Sequence, residues 1–177
     1  MKNKYDIITI SHFFYPRVGG LENMAFGIAK SLQKAGLNVF AIHAGETDFK
    51  YYLEGFAGES IKTINLFNNS YPITGLRFIY KIIKLLRSNP DATVLIHDRH
   101  VLSSVVASFI CFVLNKPYIL ISHTTNSNYF KNKLFNKIGE IFESIFSQFV
   151  VGKAEKIIAV SKTKAKYLEN NIKFDLE

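Results

Sequence analysis

The sequence predicts an α/β domain: a mostly parallel sheet covered by helices on both faces. Three observations carry this. Strand-length apolar runs alternate with helical periodicities, no linker separates two cores, and 177 residues suit one domain with a full core. With 48% of residues apolar, the composition excludes a disordered chain.

Taken in order, Ile7 to Ile10 is the first strand and ends at Ser11-His12. Phe13-Phe14-Tyr15-Pro16-Arg17-Val18-Gly19-Gly20 is a loop, after which a helical pattern runs to Ala35. Amides at a helix start and side-chain-less glycines let an anion approach the backbone closely, so a phosphate-bearing ligand fits here. A tight turn that uses glycine only for steric relief fits the same residues. Gly36-Leu37-Asn38 stops the helix, and Val39 to His43 is a second strand.

The polar stretch from Ala44 to Ser60 predicts an irregular excursion, and Ile61 to Leu66 a third strand. A loop over Asn68-Asn69-Ser70-Tyr71-Pro72 then leads into a helix from about Thr74 to Ser88. Asn89-Pro90-Asp91 ends that helix, Thr93 to His97 is a strand, a buried helix begins near Val101, and Lys116-Pro117 opens the strand Tyr118 to Ser122. A long amphipathic helix follows over Tyr129 to Gly152, then a strand Ile157 to Val160 and a helix Lys162 to Asn170.

Ligands of such sheets bind outside the carboxyl ends of the strands. His12, His43, His97 and His123 each fall at the end of a predicted strand, and His100 lies three residues past one, so all five are expected on the ligand-binding rim. The first loop is not Gly-x-Gly-x-x-Gly, and His43 stands where a ribose-binding acid belongs, which disfavours a dinucleotide dehydrogenase. No Gly-Lys-Ser/Thr loop supports NTP hydrolysis, and no Gly-x-Ser-x-Gly elbow supports a serine hydrolase. His97-Asp98-Arg99-His100 resembles a ligand cluster, but Arg99 would set a cation beside the metal; neither metal nor cofactor is expected. The lone Cys111, in an apolar stretch, reads as a structural thiol in a reducing compartment.

The net charge of +8 favours anionic partners. In the helix around Leu76 to Leu86, Arg77, Lys81, Lys84 and Arg87 recur along one side with no acid before Asp91. That side is either a solvated face or a candidate attachment to anionic lipid headgroups. Phe130, Leu134, Ile138, Ile141, Phe142, Ile145, Phe146 and Phe149 form a second stripe, with Lys131, Lys133 and Lys137 near its start. No basic-aromatic module points to nucleic acid. Val101 to Leu114 is too short to span a membrane, and the basic start lacks a small-residue cleavage site. The expected place is the cytoplasm, with a peripheral position at the inner face of the membrane as the alternative that the basic side leaves open.

Several segments together resemble a known family. They are Phe14-Tyr15-Pro16-Arg17-Val18-Gly19-Gly20-Leu21-Glu22, the spaced set Ala29, Leu32, Gly36, Leu37 and Val39, Val94-Leu95-Ile96-His97, Lys116-Pro117-Tyr118-Ile119-Leu120-Ile121-Ser122-His123, and Ile157-Ile158-Ala159-Val160-Ser161. In order and spacing the chain resembles the N-terminal domain of family-4-type glycosyltransferases of the GT-B architecture. The resemblance implies that residues 1–177 are a single Rossmann-like domain, the acceptor-side half of a retaining, metal-independent, hexosyl-type enzyme. It implies a nucleotide-sugar donor and a glycan or lipid-linked acceptor.

On this resemblance Gly19 and Gly20 approach the donor diphosphate and His123 is the catalytic residue beside the transferred sugar. His12, His97, Asp98, Arg99 and His100 form the acceptor-side rim. The family's C-terminal donor-binding domain, with its Glu-x7-Glu signature, is absent from these residues. The expectation is therefore a half that does not turn over alone and meets its complement in cis or on a partner chain. Two other readings stay open: a non-catalytic subunit that docks such a partner, and a generic nucleotide-binding module.

Overall fold

The computed structural model of the chain describes residues 4–17, 19–66, 71–123 and 145–171. In chain order the elements are β1 (Ile7–Ser11), α1 (Gly20–Lys34), β2 (Val39–Gly45), β3 (Phe49–Leu53), β4 (Phe56–Lys62), β5 (Ile64–Leu66), β6 (Tyr71–Ile73), α2 (Leu76–Ser88), β7 (Thr93–His97), α3 (Leu102–Val113), β8 (Tyr118–Ser122), α4 (145–152), β9 (Lys156–Ala159) and α5 (Lys162–Asn171). Seven strands form one sheet in the order β3-β4-β2-β1-β7-β8-β9, and β5 and β6 form a separate ribbon. All pairings in the large sheet are parallel except β3 with β4. The expected single Rossmann-like α/β domain is therefore the fold observed, with the strand order of doubly wound dinucleotide folds.

Alternation along the strands divides the core in two. Ile8, Ile10, Ile42, Val94, Ile96 and Leu120 face one way and pack with Phe78, Ile82 and Leu86 of α2 and Val105, Ala107, Ile110 and Cys111 of α3. Ile7, Val39, Ala41, Leu95 and Ile121 face the other way, against Ala25 and Ala29 of α1 and the loop residue Phe14. Burial pushes the Cys111 thiol up to about 12, as expected of a structural rather than a nucleophilic cysteine. Ser104 and Ser108 are tolerated inside α3 because Ser104 donates to the His97 carbonyl (2.9 Å) and Ser108 to the Ser104 carbonyl (2.8 Å).

The stretch Ala44 to Ser60 is not irregular: it completes β2 and then forms an antiparallel hairpin, β3 and most of β4. Glu54 (φ 49°) and Gly55 (φ 89°) make the two-residue turn, both in the positive-φ region that matches the twist of paired strands. Gly58 lets the Tyr51 ring lie against the β4 backbone, since a Cβ there would stand 2.2 Å from Tyr51 Cζ. The expected third strand, Ile61 to Leu66, is in fact the end of β4 plus β5, and part of the expected Asn68 to Pro72 loop lies in β6. Of the expected helix Tyr129 to Gly152, only 145–152 lies within the described residues. The stripe from Phe130 to Phe142 and its lysines fall outside them.

Candidate functional site

Between β1 and β7 the order of connections reverses, and the crevice outside the carboxyl ends of these strands is where doubly wound sheets take ligands. His12 follows β1, His97 ends β7 with Asp98, Arg99 and His100 behind it, and His123 follows β8. These sequence-predicted residues are thus gathered on one edge. Their side chains are buried beneath it rather than spread over solvent-facing ground. His43 differs: β2 continues to Gly45, so His43 sits inside the strand, stacked on Phe14 at 5.5 Å, with Nδ1 2.9 Å from the Ala44 carbonyl oxygen.

Polar side chains can be buried here because they pair with one another. His12 Nδ1 lies 3.1 Å from Ser103 Oγ. Asp98 extends the β7–β8 ladder by donating its amide to the Ile121 carbonyl (2.8 Å), then turns into the left-handed region at φ 65°. A β-branched residue would resist that backbone; aspartate tolerates it, and its Oδ1 accepts from the Arg99 amide at 3.1 Å and lies 3.6 Å from His100 Nε2. The Arg99 guanidinium donates to Ser122 Oγ at 3.4 Å and sits 5.3 Å over the Tyr167 ring, tying the loop after β7 to α5. Thr9 Oγ1, His97 and His123 form a further chain: Thr9 Oγ1 to His97 Nε2 at 2.8 Å, and His97 Nδ1 to His123 Nε2 at 3.0 Å.

Burial favours the neutral form of His12, His43, His97 and His123. It lowers His12 to about 3, with Arg17 adding to the effect and Asp98 opposing it. It lowers His97 to about 3, with His123 adding to it, and His43 to about 4 against the Ala44 carbonyl. His123 is also lowered, first by burial; Asp98 pulls it up and Lys164 pushes it down. Among the described residues no three His, Cys, Asp or Glu side chains converge as a metal-ligating group.

At the first loop, Gly19 is the N-cap of α1 in extended backbone, and Gly20 is the first helical residue. Glu22 folds back over that helix end: a Cβ on Gly19 would lie 2.1 Å from its Oε2, and its Oε1 is 3.8 Å from Arg17 Nε. A first-turn carboxylate of this kind offsets the positive end of the helix dipole. Arg17 in turn lies 3.7 Å over the Phe13 ring.

Of the four basic residues on α2, Arg77 pairs with Asp48 (2.8 Å) and Lys81 with Glu59 (2.6 Å), so acids of the missed hairpin region neutralise half of that side. Among the described residues, Lys84 and Arg87 have no acidic partner, and Arg87 borders an apolar groove of about 600 Å³ walled by Ile83, Phe109, Val113 and Phe146. Sequence reasoning gave no role to Thr9, Glu22, Lys164 or Tyr167. Glu22 carried a signal, three residues after a helix cap; Thr9, one polar residue in an apolar run, carried none.

No curated protein matches the chain. Among solved structures, Anabaena Alr3699/HepE, crystallised in complex with UDP, superposes with a TM-score of 0.56 at 12% identity, covering 94% of this chain and 40% of its own. The catalytic domain of starch synthase IV from Arabidopsis thaliana, bound to ADP and acarbose, gives a TM-score of 0.45 at 14% identity, covering 68% of this chain and 34% of its own. The chain thus spans less than half the length of either. Over the part it covers, HepE shares the Rossmann-like α/β fold of this chain. The description of Glycosyltransferase Family 4 matches residues 18–176, nearly the whole sequence, and the chain therefore belongs to that family.

Proposed function

We propose that this chain is the acceptor-side half of a retaining, metal-independent hexosyltransferase that moves a sugar from a nucleotide-sugar donor to a glycan or lipid-linked acceptor. The observation that carries the reading is the gathering of His12, His97, Asp98, Arg99, His100 and His123 at the switch point of the sheet. In this reading the bond from C1 of the sugar to the diphosphate breaks, the bonding pair leaves with the nucleotide, and the acceptor oxygen bonds to C1. Its proton goes to the departing phosphate.

The leaving charge is met by the start of α1 at Gly19 and Gly20 and by Arg17, in place of a metal. The oxocarbenium-like sugar lies beside His123. His12, Asp98, Arg99 and His100 form the floor under the acceptor. The other half, supplied in cis or by a partner chain, brings the rest of the donor site, and the isolated chain does not turn over.

The test is sugar transfer with a donor-binding half joined to or mixed with this chain. Gly19→Val is the informative variant, because φ −169° and ψ 170° are open to any residue and the backbone tolerates the change. The new side chain displaces Glu22 and fills the space a diphosphate needs. We expect kcat/KM to fall more than tenfold, about 1.4 kcal/mol of barrier, with the melting temperature little changed. Near-normal transfer would remove Gly19 and Gly20 from the donor site.

Peripheral attachment to the inner face of a membrane belongs to the same proposal, supported by Arg87 at the mouth of an apolar groove and Lys84 one turn before it. Among the described residues no helix is long and apolar enough to cross a membrane. The chain should co-sediment with phosphatidylglycerol vesicles at low ionic strength and be released by salt, and Lys84→Glu with Arg87→Glu should abolish binding. Equal binding to neutral vesicles would refute the attachment.

A further inference from the structure

Thr9 stands in the middle of β1 between Ile8 and Ile10, 2% exposed, and its one hydrogen-bond partner among the described residues is His97 Nε2. A hydroxyl can donate or accept, and a neutral imidazole does one at each nitrogen. The direction of the chain through Thr9, His97 and His123 is therefore decided at its inner end. If Thr9 accepted, its own proton would be buried without an acceptor, and an orphaned donor is the costlier choice than an oxygen with a spare lone pair. Thr9 donates to His97 Nε2.

The rest follows by count. His97 must then carry its proton on Nδ1 and donate it to His123 Nε2, 3.0 Å away in a ring stacked at 5.2 Å. With Nε2 accepting, neutral His123 carries its proton on Nδ1, the nitrogen that makes no bond to the described protein. We propose that Thr9, acting through His97, holds His123 as the Nδ1–H tautomer, so that His123 faces its ligand as a hydrogen-bond donor and Thr9 and His97 are its positioning residues.

The consequence is chemical. His123 offers a proton to a ligand oxygen, whether of a sugar hydroxyl or of a phosphate, and its outward nitrogen has no lone pair with which to remove one. Within the transfer reading, from which only the identity of the ligand is taken, His123 is an orienting and charge-stabilising group and not the general base.

The test needs no ligand and uses the chain as it is. With histidine labelled in 15N, long-range 1H–15N correlation spectra near pH 7 distinguish a protonated from a bare ring nitrogen. We expect His97 and His123 both protonated at Nδ1 and bare at Nε2. A spectrum showing His123 protonated at Nε2 would overturn the proposal.

Thr9→Val keeps the shape and removes the hydroxyl, so the Nε2–H forms of His97 and His123 should rise, while Thr9→Ser, which retains the donor, should restore the native spectrum. Unmoved nitrogen shifts in Thr9→Val would remove Thr9 from the chain. Should Thr9→Val fail to fold, the native and Thr9→Ser spectra still decide the tautomer. Because nothing is turned over, a wrong tautomer leaves the sugar-transfer reading intact, and failed transfer leaves the tautomer result intact.

Discussion

Acidifying the chain from pH 7 to pH 5 is expected to lower its unfolding free energy by about 6 kcal/mol, enough to unfold an ordinary domain. The source is three histidines buried neutral: His12 at about 3, His97 at about 3 and His43 at about 4, each displaced chiefly by burial from an unfolded value of 6.5. The sign is fixed by which state takes up protons. Below pH 6.5 the unfolded chain binds them and the native chain does not, so stability is full above that pH and is lost as the pH falls toward 3–4. At pH 5 each histidine accounts for about 2 kcal/mol. Denaturant melts at pH 7, 6 and 5 measure this directly; an unchanged midpoint across that range would mean the imidazoles take up protons without unfolding, and the burial argument would fail.

On the proposed reading, His123→Ala in this chain joined to a donor-binding half is expected to cut kcat/KM for sugar transfer about a hundredfold, or about 2.7 kcal/mol. The substitution removes the one ring of the His97–His123 pair with a nitrogen unbonded among the described residues and leaves His97 Nδ1 without its partner. Both effects act among buried side chains, His97 and His123 being 0% and 6% exposed, where a lost donor counts for more than at a surface. A comparison with His123→Gln separates them, since the amide supplies a donor on a longer arm and should recover part of the loss. Activity of His123→Ala within a factor of three of the native protein would take His123 out of the site.

The parallel core was legible because its signals are local. Thr93 to His97 and Tyr118 to Ser122 are apolar runs bounded by Asn-Pro-Asp and Lys-Pro, and both strands occupy those residues. The β3–β4 hairpin was not legible: Lys50, Glu54, Glu59 and Lys62 interrupt its apolar pattern, and the fit of the Tyr51 ring against Gly58 exists only once the strands pair. The same hairpin region hid the neutralisation of α2, since Asp48 and Glu59 lie far in sequence from Arg77 and Lys81.

At the candidate site, strand ends placed His12, His97, His100 and His123 on one edge of the sheet, because the ends of parallel strands follow from topology alone. How deeply they lie, and which nitrogen meets which hydroxyl, depends on packing between β1, β7, β8 and α3, which no single segment encodes. His43 was misplaced for a smaller reason. The strand outlasts its apolar run by two residues, Ala44 and Gly45, that carry no strand signal of their own.

The backfolded Glu22 gives the start of α1 a resident counter-anion. Any visitor to that spot has to evict a carboxylate before it gains the amides, so chloride or acetate, with one charge each, meets an even exchange. A pyrophosphate group, carrying several charges and more oxygens than Glu22, comes out ahead. On the proposed reading the helix end selects polyanions over singly charged ions, with a strictness set by the length and charge of one side chain.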